Sequence, residues 1–162
     1  MKDKLALFIK NNLVIEKTFM GAAFSKKARY CEEELCDYSS GSVYIDSNKN
    51  ENKFQRLLFK YIDDRDLKDS DVYNKVHIDR RLFSKIRSDE NYHPSKDTVI
   101  LLGLSLELNI NEITSLLESA SYSLPYNNHY DLIIRFCFLE GIYDIKEVNE
   151  LLSIYNCRLF SY

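Results

Sequence analysis

Glycine and proline are scarce in this chain, at 4 and 2 of 162 residues, and tryptophan is absent. A β-sandwich needs many more turn residues than that. The glycines Gly21, Gly41, Gly103 and Gly141 all stand alone. No glycine-rich loop is therefore available to cradle a phosphate, and neither a dinucleotide fold nor a P-loop is indicated. Long apolar runs are missing too. The longest stretch of low polarity, Val99 to Leu106, is far short of the ~20 residues that cross a bilayer. Near the start, Leu5-Ala6-Leu7-Phe8-Ile9 is broken by Lys10-Asn11-Asn12, which is too short for a secretory core. The expectation is a cytoplasmic protein with no membrane contact and with Cys31, Cys36, Cys137 and Cys157 reduced. Cys31 and Cys36 have no second pair and no nearby histidine, so zinc is not expected, and no motif asks for a cofactor.

What is present is ordinary for a folded domain: 45% hydrophobic and 29% charged residues, with a net charge of −3. The charge is unevenly spread. Residues 72–96 carry six basic side chains (Lys75, Arg80, Arg81, Lys85, Arg87, Lys96) against three acidic ones (Asp79, Asp89, Glu90), a local excess of three. Such a patch on an acidic protein is a candidate electrostatic footprint for nucleic acid.

Helical periodicity dominates the rest. Residues 1–17 read as a short helix with Leu5, Phe8, Ile9 and Leu13 on one side, and 18–38 allow a second. Together, 1–38 form a short N-terminal helical extension. Residues 39–53, rich in Ser, Asn and Lys, read as a linker. The span 54–120 predicts five helices. Phe54, Leu57, Leu58, Tyr61 and Ile62 stripe the first; Asp69 is a cap for the second, Asp79 for the third, Pro94-Ser95 opens the fourth and Asn111 is a cap for the fifth. The fourth, from Lys96 to Leu106, is apolar on most sides and should be the most buried. Residues 121–162 add two helices, one stopped by Gly141 and one opened by the pair Asp144 and Glu147. Their apolar excess (Ile133, Phe136, Phe138, Ile142, Leu151, Ile154) suggests a face left for a second subunit.

The helices led by Asp69 and Asp79 are separated only by His77, Ile78 and the Asp79 cap, which is helix-turn-helix spacing. At about 100° per residue, Leu82, Phe83 and Ile86 share one side of the second of these helices. Arg81, Ser84, Lys85 and Ser88 share the other, with Arg80 and Arg87 on its margins. That chemistry suits a major groove, where Arg or Lys reaches guanine O6 and N7. Arg81, Ser84, Lys85 and Ser88 are accordingly the candidate base contacts. Lys75, Arg80, Arg87 and Lys96 are the candidate phosphate contacts.

The segment "VHIDRRLFSKIRSDENYHPSKDTVILLGLSLELNINEITSLL", residues 76–117, resembles the Xre/Cro-repressor type of helix-turn-helix. Ile78, Ile86, Pro94-Ser95, Thr98-Val99, Leu106 and Leu116-Leu117 carry the match. More narrowly, "DSDVYNKVHIDRRLFSKIRSDENYHPSK" with "HYDLIIRFCFLEGIYDIKEVNELL" is similar to the tail domain appended to some bacterial macro-domain proteins, over about residues 53–160. Residues 1–52 are too short for a macro domain and lack its glycine loops. The resemblance implies an all-α, Xre-type five-helix domain with two further C-terminal helices and a short N-terminal extension. It implies a sequence-specific regulator binding double-stranded DNA, not an enzyme, and a homodimer, because one helix-turn-helix reads a half-site. The alternative is a protein-interaction module, or a small inhibitor from a mobile element or defence locus, that keeps the fold without binding DNA.

Overall fold

Short polar side chains stand where the periodicity starts each helix, and the backbone obeys most of them. The computed structural model describes residues 1–13 and 53–161, and every regular element among them is an α-helix. In chain order these are α1 (Lys2–Asn12), α2 (Lys53–Asp63), α3 (Asp69–Lys75), α4 (Arg80–Ser88), α5 (Lys96–Ser105), α6 (Ile110–Ser119), α7 (His129–Glu140) and α8 (Ile145–Ile154). The all-α class stands, with five helices across 54–120 and two beyond it. The helix expected over 18–38 and residues 39–52 of the expected linker lie outside the described residues; Lys53 already belongs to α2.

Five of the N-termini among the described residues are capped by side chains that accept backbone N–H bonds left over at a helix start. Asp79 accepts from Arg81, Ser95 from Thr98, Asn128 from Asp131, and Asp144 from Lys146 and Glu147. Two starts differ from expectation. α6 is capped by Asn109, not Asn111: the Asn109 side chain bonds the Glu112 N–H while the Glu112 carboxylate bonds the Asn109 N–H. That reciprocal box satisfies two donors, which Asn111 has no partner residue to match. α3 starts after Lys68 with no side-chain cap, and the Asp69 carboxylate is turned to Arg87 instead.

The C-termini explain how the chain manages with so little glycine. Six helices end on a residue in the left-handed region: Asp66, His77, Glu107, Ser121, Gly141 and Asn156, with φ between 50° and 70°. After each, the next N–H reaches five residues back, as in Ile78 to Tyr73 O (2.9 Å), Leu108 to Gly103 O (3.1 Å) and Ile142 to Cys137 O (2.8 Å). This closure satisfies the last carbonyls and turns an apolar side chain inward. Ile78, Leu108 and Ile142 are buried accordingly. Five of the six turns use a residue with a Cβ, at a cost of roughly 1 kcal/mol each.

The side chains inside form one cluster. Phe54, Leu58, Val72, Phe83, Ile86, Val99, Leu102 and Leu116 all belong to it, as the stripes predict. α5 is its axis: seven of its ten residues are buried, and it packs on α3 and α6. α1 lies on α7, burying Leu5 and Ile9 and placing the Phe8 ring 5.5 Å from Phe136. The apolar face expected to remain open on α7 and α8 is therefore closed within one chain. Ile133, Phe136, Phe138, Ile142 and Leu151 are at most 5% exposed, and only Ile154, at 43%, faces out. The C-terminal residues add to this cover. Asn149 clips Phe160 by both amide bonds, donating to its carbonyl (3.0 Å) and accepting from its N–H (2.9 Å), and the Phe160 ring is buried.

Candidate nucleic-acid interface

α3 and α4 are joined by four residues, each with a local reason to be there. Val76 is buried, His77 takes the left-handed turn, Ile78 plugs the space between the helices, and Asp79 caps α4. Phe83 then anchors α4, its ring 5.6 Å from Tyr73 on α3 and 6.2 Å from Phe59 on α2. With Phe83 and Ile86 buried, the helix is fixed in rotation. Arg80, Arg81, Ser84, Lys85, Arg87 and Ser88 are all exposed. The four residues expected to reach bases, Arg81, Ser84, Lys85 and Ser88, thus share the outward face of α4.

The cations around that face are not equivalent. Among the described residues, no carboxylate pairs with Arg80 or Arg81. Lys85 has its ammonium 5.0 Å from the centre of the Tyr92 ring, a cation–π contact that holds the chain over the loop after α4. Arg87 is clamped: it donates to Asp69 (2.6 Å) and lies 4.1 Å from the centre of the Phe59 ring, while its carbonyl accepts from Gln55 Nε2 (2.5 Å). It ties α4 to α2 and α3. Lys75 pairs with Glu107 (2.5 Å) with both side chains about half exposed, a contact that water screens to little net stability.

Lys96 is placed differently from its expected role. Its ammonium is 2.5 Å from Asp131 Oδ1, and Asp131 is buried on α7. Asn128 donates to the other carboxylate oxygen (2.7 Å). A buried carboxylate needs such partners, because leaving it unpaired is far costlier than the pair is worth. Lys96 joins α5 to α7.

Several participants were not singled out by the spacing argument. Gln55, Phe59 and Tyr92 position α4 and its side chains, as does Asp69, which the spacing marked only as a cap. Lys53, Arg56 and Lys60 are exposed together on α2; their three- and four-residue spacing was a legible signal. Elsewhere, the Tyr130 hydroxyl donates to Asp97 (2.8 Å), and Arg158 pairs with the same carboxylate (2.5 Å). Burial first, then the hydrogen bond to Asp97 and the charge of that carboxylate, push the Tyr130 hydroxyl far above its usual range. Burial likewise pushes the Cys137 thiol up to about 12, which leaves it an inert core residue at neutral pH. Cys31 and Cys36 lie outside the described residues. Among the described residues, no three His, Cys, Asp or Glu side chains converge as a metal site, and no helix is long and apolar enough to cross a membrane. No protein-family model, curated protein or solved structure matches the chain.

Proposed function

We propose that this chain is a cytoplasmic, non-catalytic, sequence-specific DNA-binding regulator of the Xre type, with α3 and α4 as its helix-turn-helix. The carrying observation is the face of α4: one side locked by Phe83 and Ile86, the other presenting Arg81, Ser84, Lys85 and Ser88 to solvent. Arg81 and Lys85 reach guanine O6 and N7, and Ser84 and Ser88 take either hydrogen-bonding role. Arg80 contacts a phosphate directly. Lys75 and Arg87 do so by exchanging an exposed carboxylate for a phosphate. We leave Lys96 out of that set, because its partner Asp131 is a buried carboxylate. Two copies read a two-fold site, paired through a surface other than the apolar residues of α7 and α8 already buried within one chain.

The test is a mobility-shift titration against a pool of random duplexes at low salt. Binding should weaken steeply as salt rises, since each neutralised phosphate releases counterions. Arg81→Ala should cost about 1–3 kcal/mol at the selected site and relax preference at one base pair. A folded protein that binds no duplex at low salt would transfer the face of α4 to a protein partner and sink the DNA reading.

A further inference from the structure

A second basic surface lies on α2, separate from the α4 face. Lys53, Arg56 and Lys60 recur at three and four residues, so they share one flank of the helix. All three are exposed, and among the described residues no carboxylate pairs with Lys53 or Lys60. They line a shallow groove of 420 Å³ together with Leu57 of α2 and Ser119 at the end of α6, and none of the described residues in its lining is acidic. Asp63 and Asp64 follow one turn after Lys60 and confine the positive field to the first two turns of α2.

The neighbouring residues on α2 tie this stripe to α4. Gln55, beside Arg56, donates to the Arg87 carbonyl, and Phe59, beside Lys60, lies against the Arg87 guanidinium and the Phe83 ring. Side chains of α2 therefore reach the C-terminal half of α4. A helix in a major groove also has to be held in register by the flanking phosphates. Lys96 is committed to Asp131, and Arg87 and Lys75 each already carry a carboxylate.

We propose that Lys53, Arg56 and Lys60 form a phosphate-backbone contact for the same duplex that α4 reads. This rests on the DNA reading above and adds a sequence-independent anchor to it. From Lys53 to Lys60 the helix advances about 10 Å, the axial length of about three nucleotides of one strand. The stripe supplies affinity and salt dependence, and α4 supplies preference.

The experiment compares the full-length protein with Lys53→Gln/Lys60→Gln and with Lys53→Gln/Arg56→Gln/Lys60→Gln, each checked for an unchanged urea midpoint. Affinity for a selected duplex and for random duplexes is measured across a salt series. The slope of log affinity against log salt should fall by about two in the double variant and about three in the triple. Affinity should drop by the same factor for every duplex, with base preference intact. The double variant keeps the test valid if the triple variant is impaired in folding. An unchanged slope in a folded variant, with Arg81→Ala still weakening the selected site, overturns the stripe and leaves the DNA reading standing. Failure of the unaltered protein to bind any duplex overturns both.

Discussion

Gly103 offers a test of the core in which two opposing effects can be separated. It sits inside α5, where glycine costs about 1 kcal/mol relative to alanine. A Cβ built there would lie 2.4 Å from Ile113 Cδ1, 3.3 Å from Ile113 Cγ1 and 3.2 Å from Phe138 Cζ. Ordinary carbon contacts are about 3.5–4.0 Å. The missing methyl is thus what lets α6 and α7 close on α5. Cδ1 ends a flexible side chain, but Ile113 is fully buried, so a new rotamer must displace a neighbour. Overpacking of this kind costs about 1–3 kcal/mol, so after the helix gain Gly103→Ala should destabilise by about 0–2 kcal/mol. Ile113→Val removes the clashing atom and alone should cost about 0.5–1.5 kcal/mol. In the double variant the alanine methyl occupies the vacated space. Its loss should be at least about 1 kcal/mol smaller than the sum of the two single losses. Urea unfolding followed by far-UV circular dichroism measures all four corners of this cycle. Additivity to within about 0.5 kcal/mol would refute the packing argument.

Three further outcomes follow from particular side chains. Ser121→Gly should stabilise the fold by about 1 kcal/mol, because it relieves a left-handed residue with a Cβ; a lower urea midpoint would show that the serine does more than turn the chain. The raised Cys137 and Tyr130 values favour the neutral forms in the folded state. Their contribution is complete below the unfolded pKa values and fades as pH climbs toward the folded ones. Stability should fall by up to about 1.4 kcal/mol per pH unit for each group, from about pH 9 for Cys137 and about pH 10 for Tyr130, and Cys137→Ala should remove the first contribution in pH-dependent melts. Lys96→Met should cost about 3 kcal/mol of stability by leaving Asp131 buried without its cation, while the salt slope of DNA binding stays unchanged; a changed slope with intact stability would return Lys96 to the DNA face.

Much of the fold was legible because it is local. The burial of Phe83 and Ile86 follows from their spacing on a nine-residue helix, and Asp79 and Ser95 cap helices that begin one residue later. What escaped was contact between distant segments. Two apolar stripes were readable, one on residues 5–13 and one on 133–151, but nothing in either says that they meet. The first became an extension and the second a face for another subunit, whereas Phe8 on Phe136 makes them partners in one core. The α6 start is a different case. Asn109 and Asn111 are equally good caps by residue type, and only Asn109 stands three residues before a glutamate.

The candidate site divides along the same line. Which residues of α4 face outward is a matter of helical phase, and Arg81, Ser84, Lys85 and Ser88 are exposed together as that phase requires. Which cations keep their charge available is a matter of pairing across the fold. Lys75 meets Glu107 over 32 residues, Lys96 meets Asp131 over 35, and Arg87 meets Asp69 over 18. Half of the six basic residues counted in 72–96 are thereby matched to carboxylates, and all three of these, Asp69, Glu107 and Asp131, lie outside that window. A local count of charge overstates the field at α4 for that reason. The count also stops short of Lys53, Arg56 and Lys60 on α2, the helix whose Gln55 and Phe59 touch Arg87 of α4. If this surface binds a duplex, its affinity is set by cations drawn from two helices and its preference by one, and neutralising either set should leave the other property measurable.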